Sequence, residues 1–158
     1  MINIRVKVLL LCLLFNWFML YGNESLIKNS SLNDPLTPWT LATYNYAEAV
    51  SSESSSGRVF SISDAGTERW HVQFSQDEIP LIKGNKYKLE FTAKSTTNYR
   101  TLNVRIGMAS NTYNAYLELG EIVINEELEY FSETFVMESE TDYNSRVEFN
   151  IGKSLIGV

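Results

Sequence analysis

The chain has 158 residues, 44% of them hydrophobic and 13% aromatic, with one cysteine, one histidine and a formal net charge of −6. An acidic balance disfavours nucleic acid and anionic membranes, both of which are held by clustered Lys and Arg. A lone Cys and a lone His leave no disulfide framework and no cluster of zinc ligands.

Residues 1–22 read as a processing signal. Arg5 and Lys7 give a basic start, Val8 to Tyr21 is apolar except for Asn16, and Leu20-Tyr21-Gly22 offers a cleavage site before Asn23. The apolar run is shorter than the ~20 residues of a spanning helix. The expectation is a secreted domain over 23–158 without membrane attachment after cleavage. Cleavage removes Arg5 and Lys7 and no acid, taking the charge from −6 to −8, and removes Cys12.

The mature chain opens with a short strand at Leu26, Ile27 and Leu32, broken by Pro35 and Pro38, and a second over Trp39 to Tyr44 with Trp39 and Leu41 inward. Asn23-Glu24-Ser25 and Asn29-Ser30-Ser31 fit the glycosylation pattern. Tyr46 to Ser51 and Arg58 to Ser63 predict a hairpin about the turn Ser52 to Gly57. Three alternating runs follow. Trp70, Val72 and Phe74 share one face and His71, Gln73 and Ser75 the other. Tyr87, Leu89, Phe91 and Ala93 oppose Lys88, Glu90, Thr92 and Lys94, and Leu102, Val104 and Ile106 oppose Thr101, Asn103 and Arg105. Further strands are predicted over Tyr113 to Leu119, Ile122 to Ile124, Phe131 to Met137 and Arg146 to Ile151, with Arg146, Glu148 and Asn150 outward. No window outside the leader keeps a helical apolar period, so nine or ten short strands predict two packed antiparallel sheets.

The run WHVQFSQDEIPLIKGNKYKLEFTAKS, then RTLNVRIG and later RVEFNIGKS, resembles the carbohydrate-binding modules of the family 4, 9 and 22 group attached to cellulases, xylanases and laminarinases, over roughly Leu26 to Val158. The resemblance implies an all-β, galactose-binding-domain-like jelly-roll β-sandwich. Its implied function is non-catalytic binding of a polysaccharide chain of the β-glucan or xylan class in a groove on one sheet, targeting an attached glycoside hydrolase in the same parent chain to its substrate. The family normally enters one more strand, carrying an Asp, where this sequence stops. The chain is therefore expected to be a fragment, and a structural calcium ion is an expectation for the intact module only; no other cofactor is implied.

Sugar recognition needs flat rings for the C–H faces and fixed polar groups for the hydroxyl edges. Tyr113 matches a groove aromatic of the family. Trp70 matches a second, although its phase with Val72 and Phe74 equally suits the core. Tyr44 lies near a third, with Tyr46 its rival. Arg146 and Asn150 share a strand face where relatives often carry glutamines, and Asn103 stands where many have an arginine, with Arg105 two residues on. Gln73 and His71 share the outward face of their strand. Two rival readings are a compact jelly-roll glycoside hydrolase, using outward acids such as Glu90, Glu118 or Glu148, and an adhesion or structural sandwich without a sugar site.

Overall fold

Alternation of apolar and polar side chains at a period of two lets a strand bury one face and leave the other available. This chain repeats the device almost throughout. The computed structural model describes residues 2–5, 25–55, 57–97 and 99–153. Among them are ten strands and no α-helix: β1 (Ile2–Arg5), β2 (Thr40–Thr43), β3 (Glu48–Ser54), β4 (Gly57–Asp64), β5 (Val72–Leu81), β6 (Lys86–Ala93), β7 (Arg100–Met108), β8 (Ala115–Ile124), β9 (Glu129–Val136) and β10 (Asp142–Asn150). A five-stranded sheet runs β2-β5-β10-β7-β8, a three-stranded sheet β1-β6-β9, and β3-β4 is a separate hairpin. The five-stranded sheet is antiparallel throughout. β1 pairs in parallel with β6, and residues 6–24, which hold Cys12 and most of the expected signal, lie outside the described residues.

The core lies between the two larger sheets. β6 delivers Tyr87, Leu89 and Phe91, essentially without exposure, and β5, β7 and β10 answer with Phe74, Val104, Ile106 and Val147. Phe91 meets Phe149 edge-on at 5.2 Å, joining the sheets. Trp39 stacks on Phe74 at 4.5 Å, while Phe60 of β4 reaches the same ring at 4.7 Å and draws the hairpin in. The buried Tyr87 hydroxyl accepts the Ile82 N–H at 2.7 Å, so its polar end is not stranded in the core.

Three expectations are corrected. Leu26 to Leu32 forms no strand but a turn, with Asn29 and Leu32 at φ +48° and +58°. Side chains do what a strand partner would. The buried Gln76 both accepts from the Lys28 N–H (2.9 Å) and donates to the Lys28 carbonyl (2.8 Å), and Trp39 Nε1 donates to the carbonyls of Lys28 and Asn29. The Asn29 amide itself donates to the carbonyls of Asn33, Pro35 and Thr37, which ties the turn together. Second, the strand expected from Trp70 starts at Val72, because Arg69–His71 is a 3-10 turn. Third, the separate strands at Tyr113 to Leu119 and Ile122 to Ile124 are one strand, β8, whose register against β7 shifts beside Gly120 at φ +68°. Tyr113 precedes it in a loop, at φ +52°.

Tyr116 of β8 donates its hydroxyl to Asp142 Oδ2 of β10 at 2.9 Å. Burial, then that hydrogen bond and the Asp142 charge, push the phenol from 10.0 up to about 12. The folded state thus favours the neutral phenol more than the unfolded chain does. Its contribution is fully present below pH ~10 and is lost as pH rises through about 12. Denaturant midpoints of the wild type and Tyr116→Phe should therefore converge as pH rises through that window; a constant gap contradicts the assignment.

Candidate functional site

The face of the five-stranded sheet turned away from the core carries a cleft of about 660 Å³. Its floor is set by register. Ser75, Glu148, Arg105 and Glu118 lie abreast on β5, β10, β7 and β8, and one pleat away Ala42, Gln73, Asn150, Asn103 and Glu121 lie abreast on all five strands. Two rows, polar except for Ala42, therefore cross the sheet at right angles to its strands.

The polar groups are joined. Gln73 Nε2 donates to Asn150 Oδ1 at 2.9 Å, and Asn150 Nδ2 donates to Asn103 Oδ1 (3.3 Å) and Glu148 Oε1 (3.1 Å). Asn103 Nδ2 donates to Glu118 Oε1 (3.2 Å) and to the Gly120 carbonyl (3.0 Å), the residue of the β8 bulge. Such a network fixes each amide's orientation before any ligand arrives. It also buries the network: Gln73, Asn103 and Asn150 are 8%, 3% and 5% exposed, so the expected outward groups form a floor rather than projecting arms.

The guanidinium groups of the cleft are already paired. Asp77 holds the Arg146 guanidinium in two places, Nε to Oδ1 at 2.5 Å and Nη2 to Oδ2 at 2.9 Å, leaving Nη1 toward Gln73 Oε1 at 3.4 Å. The Asp77 hydrogen bonds raise the Arg146 pKa above its ordinary value against the opposing effect of burial. Arg105 pairs with Glu148 at 3.2 Å, and Arg69 with Glu121 at 2.7 Å.

Aromatic rings stand at both ends. Trp70 is 46% exposed and Tyr44 43%, with ring centroids 5.6 Å apart and planes at 58°. The 3-10 turn rotates Trp70 out of the phase that paired it with Val72 and Phe74, which settles its choice between core and cleft. Tyr46, at 96% exposure, stands apart from the cleft. His71, expected on the outward face, is buried instead. At the far end Tyr113 is 53% exposed, and its carbonyl accepts from the Arg105 guanidinium. Gly107 lets that loop close on β7, since a Cβ there would meet the Asn114 carbonyl oxygen at 2.4 Å.

Of the candidates named from the sequence, Tyr44, Trp70, Gln73, Asn103, Arg105, Tyr113, Arg146 and Asn150 line this one cleft, and His71 and Tyr46 do not. Glu68, Arg69 and Lys153 line it as well and were not anticipated; Glu118 and Glu148, outward acids of the rival hydrolase reading, line it too. Glu148 could have been found from its even spacing between Arg146 and Asn150. Asp77 had no such signal, because β10 changes register against β5 between Ser145 and Val147, beside it. Among the described residues no group of three or more His, Cys, Asp or Glu is placed to hold a metal ion.

A family model described as a carbohydrate binding domain matches residues 24–155. A solved structure described as "CBM4 structure and function" superposes with a TM-score of 0.66 at 25% identity, covering 78% of this chain and 84% of that one. The second N-terminal cellulose-binding domain of Cellulomonas fimi β-1,4-glucanase C superposes with a TM-score of 0.55 at 19% identity, over 78% and 80% of the two chains, a likeness of fold. The comparison with curated proteins finds no match.

Proposed function

The chain belongs to the carbohydrate-binding domain family matched across residues 24–155, and from that premise we propose that its cleft binds an uncharged polysaccharide strand of the β-glucan or xylan class. The family's role is binding rather than catalysis. On this reading the domain is exported and raises the effective concentration of an attached glycoside hydrolase at its substrate.

The observation that carries the reading is the convergence of exposed rings at both ends of a cleft with a hydrogen-bonded amide floor between them. Five strands at ~4.8 Å spacing separate β2 from β8 by about 19 Å, room for several sugar rings laid across the sheet. Rings at the ends cover apolar sugar faces, and the oriented floor meets hydroxyl edges without reorganising. The pairing of Arg69, Arg105 and Arg146 with carboxylates supports an uncharged ligand, because no guanidinium of the cleft stands ready as a clamp for phosphate or sulfate.

Affinity electrophoresis in gels carrying soluble β-glucans or xylan tests the proposal. Retardation in at least one of these polymers is expected. Unchanged mobility of a demonstrably folded protein in all of them overturns it.

A further inference from the structure

His71 contributes no atom to the cleft lining, yet it sits at the centre of the aromatic end. It is 3% exposed, and its ring meets that of Trp70 edge-on, with centroids 4.4 Å apart and planes at 88°. Nδ1 accepts two backbone N–H groups, from Thr67 at 3.2 Å and Glu68 at 3.4 Å. Nε2 lies 2.9 Å from the side-chain amide of Asn45. The His71 carbonyl accepts the Tyr44 N–H at 2.8 Å. One residue thereby fastens both the loop that carries Trp70 and the chain that carries Tyr44.

The loop is closed tightly on the ring. Gly66, at φ +64°, packs where a Cβ would lie 2.5 Å from Nδ1, and Gly152 closes the other side, where a Cβ would meet the carbonyl oxygens of Glu68 and Arg69 at 2.5 and 2.7 Å. The imidazole cannot turn without moving the chain. With Nδ1 accepting, the neutral ring carries its proton on Nε2, which requires the Asn45 amide to be turned so that Oδ1, rather than the donor Nδ2, faces it.

We propose that His71 is a positioning residue for the Trp70–Tyr44 end of the cleft, and that the end is assembled only while its imidazole is neutral. The part concerning ligand affinity rests on the carbohydrate-binding reading given above. A proton on Nδ1 would face two backbone N–H donors inside a buried loop. Two acceptor interactions are lost and a buried donor is stranded, which opens the loop between Gly66 and Trp70. The charged and titratable groups on the surrounding elements are Asp64, Glu68 and Arg69 of the same loop, Tyr44 at the end of β2 and Lys153 beyond β10. The partners of the ring nitrogens are nonetheless backbone N–H groups and an amide.

The test has two arms over the range, about pH 8 to pH 5, in which histidine ordinarily changes charge. In the ligand-free protein, the Trp70 indole N–H resonance, identified with Trp70→Phe, is followed with the His71 imidazole nitrogens. The two should move with one midpoint. In the second arm, affinity for whichever soluble glucan or xylan retards the protein is measured for wild type and His71→Asn. The Asn Oδ1 takes the place of Nδ1 as an acceptor and cannot be protonated. Wild-type affinity should fall about tenfold or more, the effect of an unpaired buried donor, while His71→Asn holds within about threefold.

An imidazole that stays neutral to pH 5, or a Trp70 signal indifferent to its titration, overturns the proposal. So does an equal loss of affinity in His71→Asn, which would place the acid sensitivity on the carboxylates of the cleft. Should His71→Asn fail to fold, the ligand-free arm decides alone. That arm also reads out if no polysaccharide binds at any pH, so failure of the carbohydrate reading is told apart from failure of this one.

Discussion

Replacing Trp70 by alanine is expected to weaken retention in a soluble glucan or xylan by roughly thirtyfold, the equivalent of about 2 kcal/mol from one ring's apolar face. Trp70 is 46% exposed at one end of the cleft and leans on Tyr44 at 5.6 Å. Losing it removes the sugar-facing surface and leaves Tyr44 unsupported, whereas the core, to which Trp70 does not belong, is untouched. The thermal midpoint should therefore barely move while binding collapses. Tyr113→Ala at the opposite end should give a smaller loss, because among the described residues its ring has no aromatic neighbour. Full retention by both variants, with the wild type retained, would move the binding surface elsewhere.

The second large effect concerns stability. Phe74 is 1% exposed, stacks on Trp39, meets Phe60 at 4.7 Å and Phe149 at 6.4 Å, and lies abreast of Leu41 on β2 and Phe149 on β10. Three parts of the fold lean on this ring: the β3-β4 hairpin through Phe60, the opposed sheet through Phe149 and Phe91, and the turn before β2 through Trp39. Phe74→Ala should cost about 3–5 kcal/mol, the usual result of deleting a buried ring that neighbours cannot replace. Against a typical total of ~5–15 kcal/mol that is a large share, readable as a fall in the urea midpoint at unchanged slope. A cost below about 1 kcal/mol would mean that Trp39 and Phe60 close over the space and that the core does not hinge on this ring.

Where alternation was strict, the fold was legible. β6 and β7 bury the residues that their period of two assigns inward, and the outward set of β10, Arg146, Glu148 and Asn150, all reaches the cleft. Two sorts of feature were not legible. Leu26 to Leu32 has the apolar content of a strand, but its backbone is satisfied by the side chains of Gln76 and Trp39, and such long-range pairings leave no local pattern. Trp70 sits inside a 3-10 turn that gives way to strand at Val72, so the strand's phase extended back by two residues makes the core an equal rival to the cleft. The floor was visible as residue types but not as a network. Even spacing predicts that Asn103 and Asn150 share a face, while only the pairing of β10 with β7 makes them touch. Asp77, the partner of Arg146, depends on a register shift that nothing in the sequence marks.

Binding as proposed requires a sugar polymer to lie along the outer face of the β2-β5-β10-β7-β8 sheet. Side-chain NMR of the labelled protein, titrated with a soluble β-glucan and separately with xylan, observes that face directly. With one of the two polymers, the Trp70 indole, the Gln73 and Asn150 amides and the Arg146 Nε–H should shift together on a single saturation curve, while the outer face of β6 and β9 stays silent. Shifts confined to β6 and β9, or none from a folded protein with either polymer, would contradict it.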